Sequence, residues 1–279
     1  MLTIAELLTQ IKQKYSVEML PQNEVEMIFA KVLELSRAQI KAWPEKVIAP
    51  TQCKQIENYC ARRANGEPIA YIFSEREFWS LNFYVNKSVL IPRHETENLI
   101  EYCLTQYDKQ SRINCIDLGT GSGAIALALA SEFPNWNILA IDRCIEALSI
   151  ARFNGEQHKV TTVNYVCADW LTAIQVHSVE LIISNPPYIG KDEIYLQQGD
   201  LPFEPQHALV AENEGLADLY QIITQAKQVL RVNGKLILEH GHEQGLAVRE
   251  CMLKHGYQKI ETIQDYSNLD RFTIGIYCD

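Results

Sequence analysis

The amino-terminal part of the chain carries apolar side chains at the three- and four-residue spacing of amphipathic helices. Thr3 and Glu6 predict a capping box at the start of the first helix. Asn23 and Thr51 predict the N-caps of two later helices, and Asn65-Gly66 predicts the end of the last of them. Together these patterns predict a small helical bundle.

The pattern changes after this bundle. Residues 78–85 alternate bulky and polar side chains, which predicts one strand of a β-hairpin between two domains. From about residue 95 the order strand, loop, helix repeats, and this alternation predicts a doubly wound α/β fold with a mostly parallel sheet. The predicted strands are 113–118, 137–141, 162–167, 181–184 and 235–239. The predicted domain boundaries are 1–72 for the helical domain, 73–92 for the hairpin linker and 93–279 for the α/β domain.

Composition narrows the classes of partner. The chain has 279 residues, 47% of them hydrophobic, which is enough for two domains with buried cores. A formal net charge of -10 disfavours a nucleic acid as the main partner. The eight cysteines show no CxxC spacing, so we expect reduced thiols rather than a zinc ribbon. With no secretory signal pattern and no membrane-length apolar run, a soluble cytoplasmic protein is expected.

A glycine-rich loop follows the first predicted strand of the α/β domain. Residues 117–123 read Asp-Leu-Gly-Thr-Gly-Ser-Gly and lead directly into a helical stretch, which allows the backbone to approach a ligand closely. The loop alone indicates only a nucleoside-like ligand. Asp142 ends the next strand, where a carboxylate can accept hydrogen bonds from ribose hydroxyls. Trp170 follows the third strand and either borders an adenine ring or packs in the core.

The tetrapeptide Asn185-Pro186-Pro187-Tyr188 follows the apolar run at 181–184 and suits a planar nitrogen group. The side-chain oxygen of Asn185 can accept one N–H of such a group, and the backbone carbonyl of Pro186 can accept the other. Tyr188 offers a flat face for stacking. The alternative is a proline turn that ends a strand. The position at the carboxyl end of a parallel strand favours a ligand site.

An adenosyl site beside a site for a planar amide indicates methyl transfer from S-adenosyl-L-methionine to nitrogen. The glycine loop, the ribose acid and the Asn-Pro-Pro-Tyr sequence resemble those of the Rossmann-like amino-methyltransferases. Four narrower motifs resemble the peptide chain release factor N5-glutamine methyltransferases of the PrmC/HemK type. They are Gly66-Glu67-Pro68-Ile69-Ala70-Tyr71-Ile72, Glu77-Phe78-Trp79-Ser80-Leu81, Leu90-Ile91-Pro92-Arg93-His94-Glu95-Thr96-Glu97 and Phe203-Glu204-Pro205.

This resemblance implies a Rossmann-like methyltransferase domain with a small substrate-docking helical domain. The implied substrate is the glutamine of the Gly-Gly-Gln motif in class I release factors. Separately from the resemblance, we expect a monomer that acts without a metal and without direct contact with nucleic acid or a membrane. The implied cofactor contacts are Gly119, Thr120, Gly121, Ser122, Gly123, Asp142, Trp170 and Asn185. The glutamine would be held by Asn185, Pro186, Pro187 and Tyr188, with Asn185, Pro186 and Tyr188 as the catalytic group.

The chain departs from the family pattern at two places. His94 stands where the family usually has proline, and Ser74 stands near a usual glycine, so the local turn geometry of both stretches is open. The roles of Arg93, Glu95 and Glu97 are also open, because these residues either shape the cofactor cleft or cap and charge the helix that follows. Glu204 either touches the substrate or is a turn residue. His240-Gly241-His242 lacks a further ligand at a suitable spacing and is not expected to bind metal.

Other functions share parts of this pattern. A ribosomal-protein glutamine methyltransferase has a closely similar catalytic domain, and an N6-adenine nucleic-acid methyltransferase shares the loop and the tetrapeptide. The adenine methyltransferase also needs a basic groove for a flipped base, and the sequence of this acidic chain shows no pattern that indicates one. A nicotinamide oxidoreductase would have GxGxxG rather than GxGxG. A catalytically silent adaptor would have no need of an intact Asn-Pro-Pro-Tyr sequence.

Overall fold

The computed structural model describes residues 2–278. The chain divides into two compact units, Met1–Ser74 and Glu75–Asp279. Each unit has its own hydrophobic core and is described separately. The assignment of 73–92 as a linker stays a prediction. Within residues 2–278, no helix combines the length and the apolar character needed to cross a membrane.

The first unit is a helical bundle, as predicted. Its helices are α1 (Ile4–Lys14), α2 (Gln22–Leu33), α3 (Arg37–Ala42), α4 (Pro50–Ala64) and α5 (Ile69–Phe73). Its core is formed by the apolar faces of these helices, and its buried members include Ile4, Leu7, Ile11, Val25, Ile28, Phe29, Ile40 and Ile56. The capping box at Thr3 is confirmed, since Thr3 N donates to Glu6 Oε2 at 2.8 Å and Glu6 N donates to Thr3 Oγ1 at 3.3 Å.

The two other predicted N-caps are wrong. Helix α2 begins at Gln22 with Pro21 at its N-cap, so Asn23 lies within the first turn. Helix α4 begins one residue before Thr51, because Pro50 occupies the first helical position, where its restricted φ angle suits the helix and its missing N–H is not needed. The predicted end of α4 is confirmed, since Asn65 is its C-cap and Gly66 has a φ of 92°.

The second unit begins with a β-hairpin. Strands β1 (Arg76–Phe78) and β2 (Leu81–Phe83) pair antiparallel. The single strand predicted over 78–85 is therefore wrong. Trp79 and Ser80 have φ angles of 51° and 58°, and this two-residue turn lets two short strands bury Phe78 and Phe83 together.

The rest of this unit is a three-layer α/β fold. The remaining elements in chain order are α6 (Glu97–Gln106), β3 (Asn114–Leu118), α7 (Ala124–Glu132), β4 (Asn137–Asp142), α8 (Ile145–Gln157), β5 (Val163–Cys167), β6 (Val179–Ser184), β7 (Ile189–Gly190), β8 (Val210–Ala211), α9 (Ala217–Val229), β9 (Leu230–Glu239), α10 (Gly245–Lys254), β10 (Tyr257–Gln264) and β11 (Asp270–Tyr277). In the described residues the central sheet has seven strands, in the order β10-β11-β9-β6-β3-β4-β5.

The doubly wound, mostly parallel sheet is confirmed. Strands β5, β4, β3, β6 and β9 run parallel, and they correspond to the five predicted strands. Strands β10 and β11 form an antiparallel extension at one edge and were not predicted. Strand β10 is largely exposed and polar, with the sequence Tyr-Gln-Lys-Ile-Glu-Thr-Ile-Gln, so it lacks the apolar run that marks an inner strand.

This topology places three loops beside one another. Leu118 at the end of β3 pairs with Ile141 of β4 on one side and with Ser184 of β6 on the other. The chain leaves β3 toward β4 and later returns to β6 on the opposite side. Such a change of direction at the carboxyl edge of a parallel sheet opens a crevice for ligands.

Candidate active site

The glycine loop after β3 is shaped by left-handed backbone conformations. Gly119, Gly121 and Gly123 have φ angles of 68°, 55° and 85°. The loop is held to β4, since the N–H groups of Gly119 and Thr120 donate to the Ile141 carbonyl at 2.8 and 3.0 Å. A Cβ atom on Gly119 would lie 3.5 Å from the Trp170 ring. Glycine therefore allows the loop and the indole to border the same space.

Asp142 ends β4 and binds the glycine loop directly. Its Oδ2 atom accepts a hydrogen bond from Gly121 N at 2.9 Å, and its Oδ1 atom accepts one from Cys144 N at 2.9 Å. An ionised carboxylate offers about four acceptor positions. Asp142 can therefore accept further hydrogen bonds from a pair of ribose hydroxyls while its own orientation remains fixed.

Trp170 has a double role in the structure. It is 7% exposed and belongs to the core cluster that contains Leu171 and Ile141. Burial raises the pKa of Asp218, near the start of α9, and the charge of Arg143 and the Trp170 side chain act in the opposite direction. The same ring lines the cavity beside Gly119. Core packing of Trp170 is therefore confirmed, and its role as a wall for an adenine ring stays a prediction.

A cavity of about 620 Å³ lies where these three loops meet. The predicted site residues that line it are Gly119, Gly121, Asp142, Trp170, Asn185 and Pro187. Apolar side chains complete the wall, among them Leu90, Ile141, Ala147 and Ala168. The cavity thus offers an apolar section and a carboxylate, which suits a nucleoside.

Three predicted cofactor contacts do not line this cavity. The Thr120 hydroxyl donates to Asp117 Oδ2 at 2.6 Å, and the Ser122 carbonyl accepts from Asn154 Nδ2 at 2.9 Å. A Cβ atom on Gly123 would lie 3.2 Å from Ala151 Cβ, so this glycine allows α7 and α8 to pack closely. These residues hold the loop in shape. Their direct contact with a cofactor stays a prediction.

Asp117 is a functional candidate that the sequence reasoning did not single out. It is completely buried, and its Oδ2 atom accepts hydrogen bonds from Thr120 Oγ1 at 2.6 Å and Ala126 N at 3.1 Å. Its Oδ1 atom has no hydrogen-bond partner among the described residues. Burial raises the pKa of Asp117 to about 7. The available signal was its place as the acid that opens the glycine motif.

These groups fit S-adenosyl-L-methionine. The Trp170 side of the cavity suits the adenine ring, and Asp142 suits the ribose. The orphaned Oδ1 atom of Asp117 lies under the glycine loop and offers acceptor capacity for a cationic group. A buried carboxylate with one unpaired oxygen is unfavourable in its charged form, so a positively charged ligand nearby would stabilise the ionised state of Asp117.

A second cavity, of about 340 Å³, adjoins the first. It is lined by Arg93, Asn185, Pro186 and Tyr188, among others. Leu90, Asn185 and Ala208 border both cavities. The Asn185 side chain therefore lies where the two cavities meet, and the predicted acceptor residues and cofactor residues converge on it.

The Asn185 side chain is oriented by Thr96. Its Nδ2 atom donates to Thr96 Oγ1 at 3.1 Å, and Thr96 is 4% exposed. With the amide nitrogen used in this way, the Oδ1 atom remains as an acceptor. This orientation is the one that an incoming N–H donor requires.

Tyr188 is held by its hydroxyl, which donates to Glu239 Oε1 at 3.3 Å. Burial raises the pKa of Tyr188, so its hydroxyl stays protonated and acts as a donor. The Tyr188 ring lines the second cavity, beside Pro186. The hydroxyl end of the ring is thus anchored in the interior, and the residue borders the second cavity, where a planar amide is predicted to bind.

Glu239 is the second functional candidate that sequence reasoning missed. It ends β9 at the carboxyl edge of the sheet and is 1% exposed. Burial raises its pKa to about 7, while hydrogen bonding from Thr96, the charge of Arg271 and hydrogen bonding from Tyr188 act in the opposite direction. Its Oε2 atom has no close hydrogen-bond partner among the described residues. The available signal was an acid at the end of a buried strand.

The two open questions about Arg93 and Glu204 have one answer. Arg93 Nη2 contacts Glu204 Oε1 at 2.5 Å, and Ile91 N donates to Glu204 Oε2 at 3.1 Å. The Glu204 side chain is fully buried, whereas that of Arg93 is 29% exposed and lines the second cavity. Glu204 is therefore a buried ionic partner that holds the Arg93 side chain at the wall of the second cavity.

His240 has a structural role. Its Nδ1 atom contacts the Gly241 carbonyl at 2.8 Å and its Nε2 atom contacts Thr273 Oγ1 at 2.8 Å. Nδ1 must donate to the carbonyl, and in the neutral ring Nε2 accepts from the Thr273 hydroxyl. Burial lowers the pKa of His240 and reinforces this state.

Comparison with known proteins adds family information. Residues 6–73 match the PrmC N-terminal domain family and residues 96–198 match the methyltransferase small domain family. The chain is 44% identical to a release factor glutamine methyltransferase of Shewanella oneidensis, over 90% of this chain and 88% of that protein. It is 42% identical to the protein of the same name from Escherichia coli, over 92% of each chain. For that of Coxiella burnetii the identity is 41%, over 98% of this chain and 99% of the relative.

A solved structure supports the fold. The crystal structure of a methyltransferase from Pyrococcus furiosus superposes with a TM-score of 0.54 and 18% sequence identity. The match covers 80% of this chain and all of that one. This similarity supports the Rossmann-like methyltransferase architecture of the sheet.

Proposed function

This chain belongs to the family of release factor glutamine methyltransferases, and from that premise we propose what it methylates and how. The acceptor is the side-chain amide nitrogen of the glutamine in the Gly-Gly-Gln motif of class I peptide chain release factors. The methyl donor is S-adenosyl-L-methionine, and the product supports translation termination. The helical domain at 1–72 docks the substrate protein, and the enzyme acts as a cytoplasmic monomer.

The observation that carries this proposal is the position of Asn185 between two adjoining cavities. One cavity is lined by Gly119, Gly121, Asp142 and Trp170, which together suit an adenosyl group. The other has Pro186 and Tyr188, which suit a planar amide. A methyl group donated from the first cavity to a nitrogen in the second would cross next to Asn185.

The first task of the protein is to position a weak nucleophile. S-adenosyl-L-methionine supplies a methyl group on a positively charged sulfur. An amide nitrogen attacks poorly, because its lone pair is delocalised into the carbonyl. Asn185 Oδ1 and the Pro186 carbonyl accept the two N–H groups of the glutamine and aim the nitrogen lone pair, while Tyr188 packs against the amide plane. Much of the rate acceleration then comes from orientation.

The second task is to respond to the change in charge during methyl transfer. As the nitrogen forms its new bond, amide conjugation weakens and the N–H groups become more acidic, so the acceptors on Asn185 and Pro186 bind them more strongly at that moment. One proton leaves to water after transfer. The apolar walls around the reacting atoms keep solvent from competing for the donor. Neither a covalent enzyme intermediate nor a strong general base is required.

Intact-mass analysis of a purified release factor tests this proposal. The factor is incubated with the enzyme and S-adenosyl-L-methionine, and a second factor with Gln→Ala in the Gly-Gly-Gln motif is the control. We expect the mass of one methyl group on the first protein and none on the second. Methylation of a ribosomal protein or a nucleic acid instead, with no change in the release factor, would contradict the proposal.

A further inference from the structure

We propose that Arg93 binds the main-chain carbonyl group of the residue before the acceptor glutamine, and that it thereby helps to select the peptide segment that enters the second cavity. This inference rests on the proposed function, because it concerns the substrate of the same site. Arg93 contacts the substrate and takes no part in the transfer of the methyl group itself.

Arg93 lies between the second cavity and a neighbouring groove. It borders the second cavity together with Pro186 and Tyr188. It also borders a groove of about 780 Å³, whose other lining residues are Tyr195, Gln198, Gly199, Asp200 and Leu201. Leu201 borders both spaces as well. When a glutamine side chain fills the second cavity, its main chain remains at the mouth of that cavity, beside Arg93.

The Arg93 side chain is held in this position before any substrate binds. Its Nη2 atom contacts Glu204 Oε1 at 2.5 Å, and the other oxygen of Glu204 accepts from Ile91 N at 3.1 Å. The main chain is fixed as well, since Arg76 Nε on β1 donates to the Pro92 carbonyl at 3.0 Å. A guanidinium group that is already ordered loses little conformational freedom when a ligand binds to it.

The guanidinium group has donor capacity beyond this ion pair. An arginine side chain carries five N–H donors in one plane and has no acceptor. The contact with Glu204 engages Nη2, and the Arg93 side chain is 29% exposed. A carbonyl oxygen at the mouth of the second cavity can therefore accept a hydrogen bond from the same guanidinium group.

The charges around Arg93 favour a neutral acceptor over an anion. The positive charge of Arg93 is balanced by Glu204, and Asp200 adds a negative charge to the groove. A phosphate or carboxylate ligand would meet this excess of negative charge, which disfavours its binding. A peptide carbonyl carries no net charge. In a Gly-Gly-Gln segment the residue before the glutamine is glycine, so no side chain shields its carbonyl from the guanidinium group.

Arg93 belongs to the acceptor side of the site. It does not border the first cavity, where Asp142 and Trp170 suit an adenosyl group. Asn185, in contrast, borders both cavities. A change at Arg93 should therefore weaken the use of the release factor and leave cofactor binding unaltered.

Three enzyme variants and one substrate variant test this role. Arg93→Lys retains a positive charge opposite Glu204 but removes the planar set of donors. Glu204→Gln is a second variant, since it weakens the hold on the same guanidinium group. Arg249→Lys is the matched control, because Arg249 also pairs with an acid, has a side chain 37% exposed and borders neither cavity nor the groove. The release-factor variant has Gly→Ala at the residue before the glutamine.

For each enzyme we measure kcat and KM with both release factors, the binding constant for S-adenosyl-L-homocysteine and the melting temperature. We expect Arg93→Lys to raise KM and to lower kcat/KM about tenfold, as loss of a hydrogen bond from a charged group does. Glu204→Gln should change KM in the same direction. Binding of S-adenosyl-L-homocysteine should stay within about twofold of the wild type in both variants, and every value for Arg249→Lys should do the same.

The substrate variant tests the contact itself. Arg93→Lys and Gly→Ala disturb the same hydrogen bond, so their effects should not multiply. We expect Gly→Ala to lower kcat/KM by a smaller factor with Arg93→Lys than with the wild-type enzyme. A purely structural role of Arg93 predicts the same factor with both enzymes.

Three results would overturn the inference. One is a folded Arg93→Lys enzyme whose kcat/KM equals that of the wild type. Another is a loss of affinity for S-adenosyl-L-homocysteine as large as the loss of kcat/KM, which would assign Arg93 to the cofactor side. The third is an equal effect of Gly→Ala on the wild type and Arg93→Lys. A wild-type enzyme that does not methylate the release factor contradicts the proposed function instead, so the two failures are distinguishable.

Discussion

The Asn185 side chain donates a hydrogen bond of 3.1 Å to Thr96, a residue 89 positions earlier in the chain. Thr96 lies in the short 3₁₀ turn His94–Thr96 that precedes α6, and Asn185 follows β6. The contact joins the family motif around Arg93 to the Asn-Pro-Pro-Tyr sequence. Through this hydrogen bond, the first motif orients the side chain of Asn185 in the second motif.

Asn185→Ala should reduce turnover far more than cofactor binding. The variant loses the acceptor for one glutamine N–H, and we expect kcat to fall at least about a hundredfold, a typical loss for a transition-state hydrogen-bond group. The affinity for S-adenosyl-L-homocysteine, measured by calorimetry, should change by less than about threefold, because Gly119, Asp142 and Trp170 remain. An equal loss in affinity and kcat would assign Asn185 mainly to the cofactor.

Asp142→Asn should have the opposite profile. The substitution keeps the side-chain shape but removes the charge and one acceptor from the wall of the first cavity. We expect the affinity for S-adenosyl-L-homocysteine to fall about tenfold to a hundredfold, the range for a hydrogen bond to a charged group. The kcat at saturating cofactor should fall much less. Unchanged affinity in calorimetry would place the ribose elsewhere.

The pH dependence of turnover should report Glu239. Burial raises its pKa to about 7, helped by the charge of Glu95 and opposed by Thr96, Arg271 and Tyr188. The carboxylate accepts the hydroxyl of Tyr188, which lines the second cavity, so kcat at saturating substrates should fall as the pH decreases through about 7. The Glu239→Gln variant should have a lower kcat throughout, and its pH profile should lack the step near pH 7. An identical pH step in the variant would assign the titration to another group.

The same group should affect stability with a definite sign. The ordinary pKa of a glutamate is 4.5, and that of folded Glu239 is about 7. Between these values the folded state binds more protons than the unfolded state, so the free energy of unfolding decreases as the pH rises through this window. The wild-type melting temperature should therefore fall more steeply from pH 5 to pH 8 than that of Glu239→Gln. Parallel curves would contradict the raised pKa.

Arg93→Met should destabilise the protein more than a matched change at the surface. The substitution leaves Glu204 buried without its ionic partner, and we expect a loss of roughly 2 kcal/mol or more in the free energy of unfolding. Arg231 pairs with Glu180 but is 50% exposed, so Arg231→Met should cost less than about 1 kcal/mol. Urea unfolding measures both. Equal losses would mean that the Arg93–Glu204 pair is not a special anchor.

Ser74→Gly should stabilise the first unit. Ser74 is the C-cap of α5 and has a φ of 56°, a left-handed conformation that glycine adopts without steric strain. The glycine expected from the family pattern should raise the free energy of unfolding by about 0.5 kcal/mol after its larger unfolded-state entropy is deducted. Ser36→Gly is the control, because Ser36 caps α3 with a φ of -71° and should gain nothing. Thermal unfolding compares the two variants.

The central parallel strands of the fold could be predicted because β3 and β6 are buried along nearly all of their length. Such strands read as continuous apolar runs, and Leu181–Ser184 is the clearest of them. The antiparallel strand β10 could not be found in this way, since only one of its eight residues is buried. The turn at Trp79 and Ser80 could not be predicted for a different reason. Neither residue usually adopts a positive φ angle, and the tertiary packing of the hairpin overrides that preference.

The sequence motifs predicted the residues that line the two cavities. They did not predict the buried residues that support those cavity-lining residues. Asp142, Trp170 and Asn185 follow strand ends, where sequence position implies a place at the ligand edge. Asp117 lies within β3 and Glu239 ends β9, and their sequence positions were weaker signals than their burial and missing hydrogen-bond partners in the structure. The link between Thr96 and Asn185 depends on the packing of separate loops, which spacing along the chain does not encode.

Peptide-level mass spectrometry tests the central claim most directly. A release factor is incubated with S-adenosyl-L-methionine carrying a deuterated methyl group and with either the wild-type enzyme or the Asn185→Ala variant. The peptide containing Gly-Gly-Gln is then fragmented. We predict that the wild type places one labelled methyl group on the glutamine side chain and that the variant places little or none in the same time. Label on another residue, or equal labelling by the variant, would contradict the account.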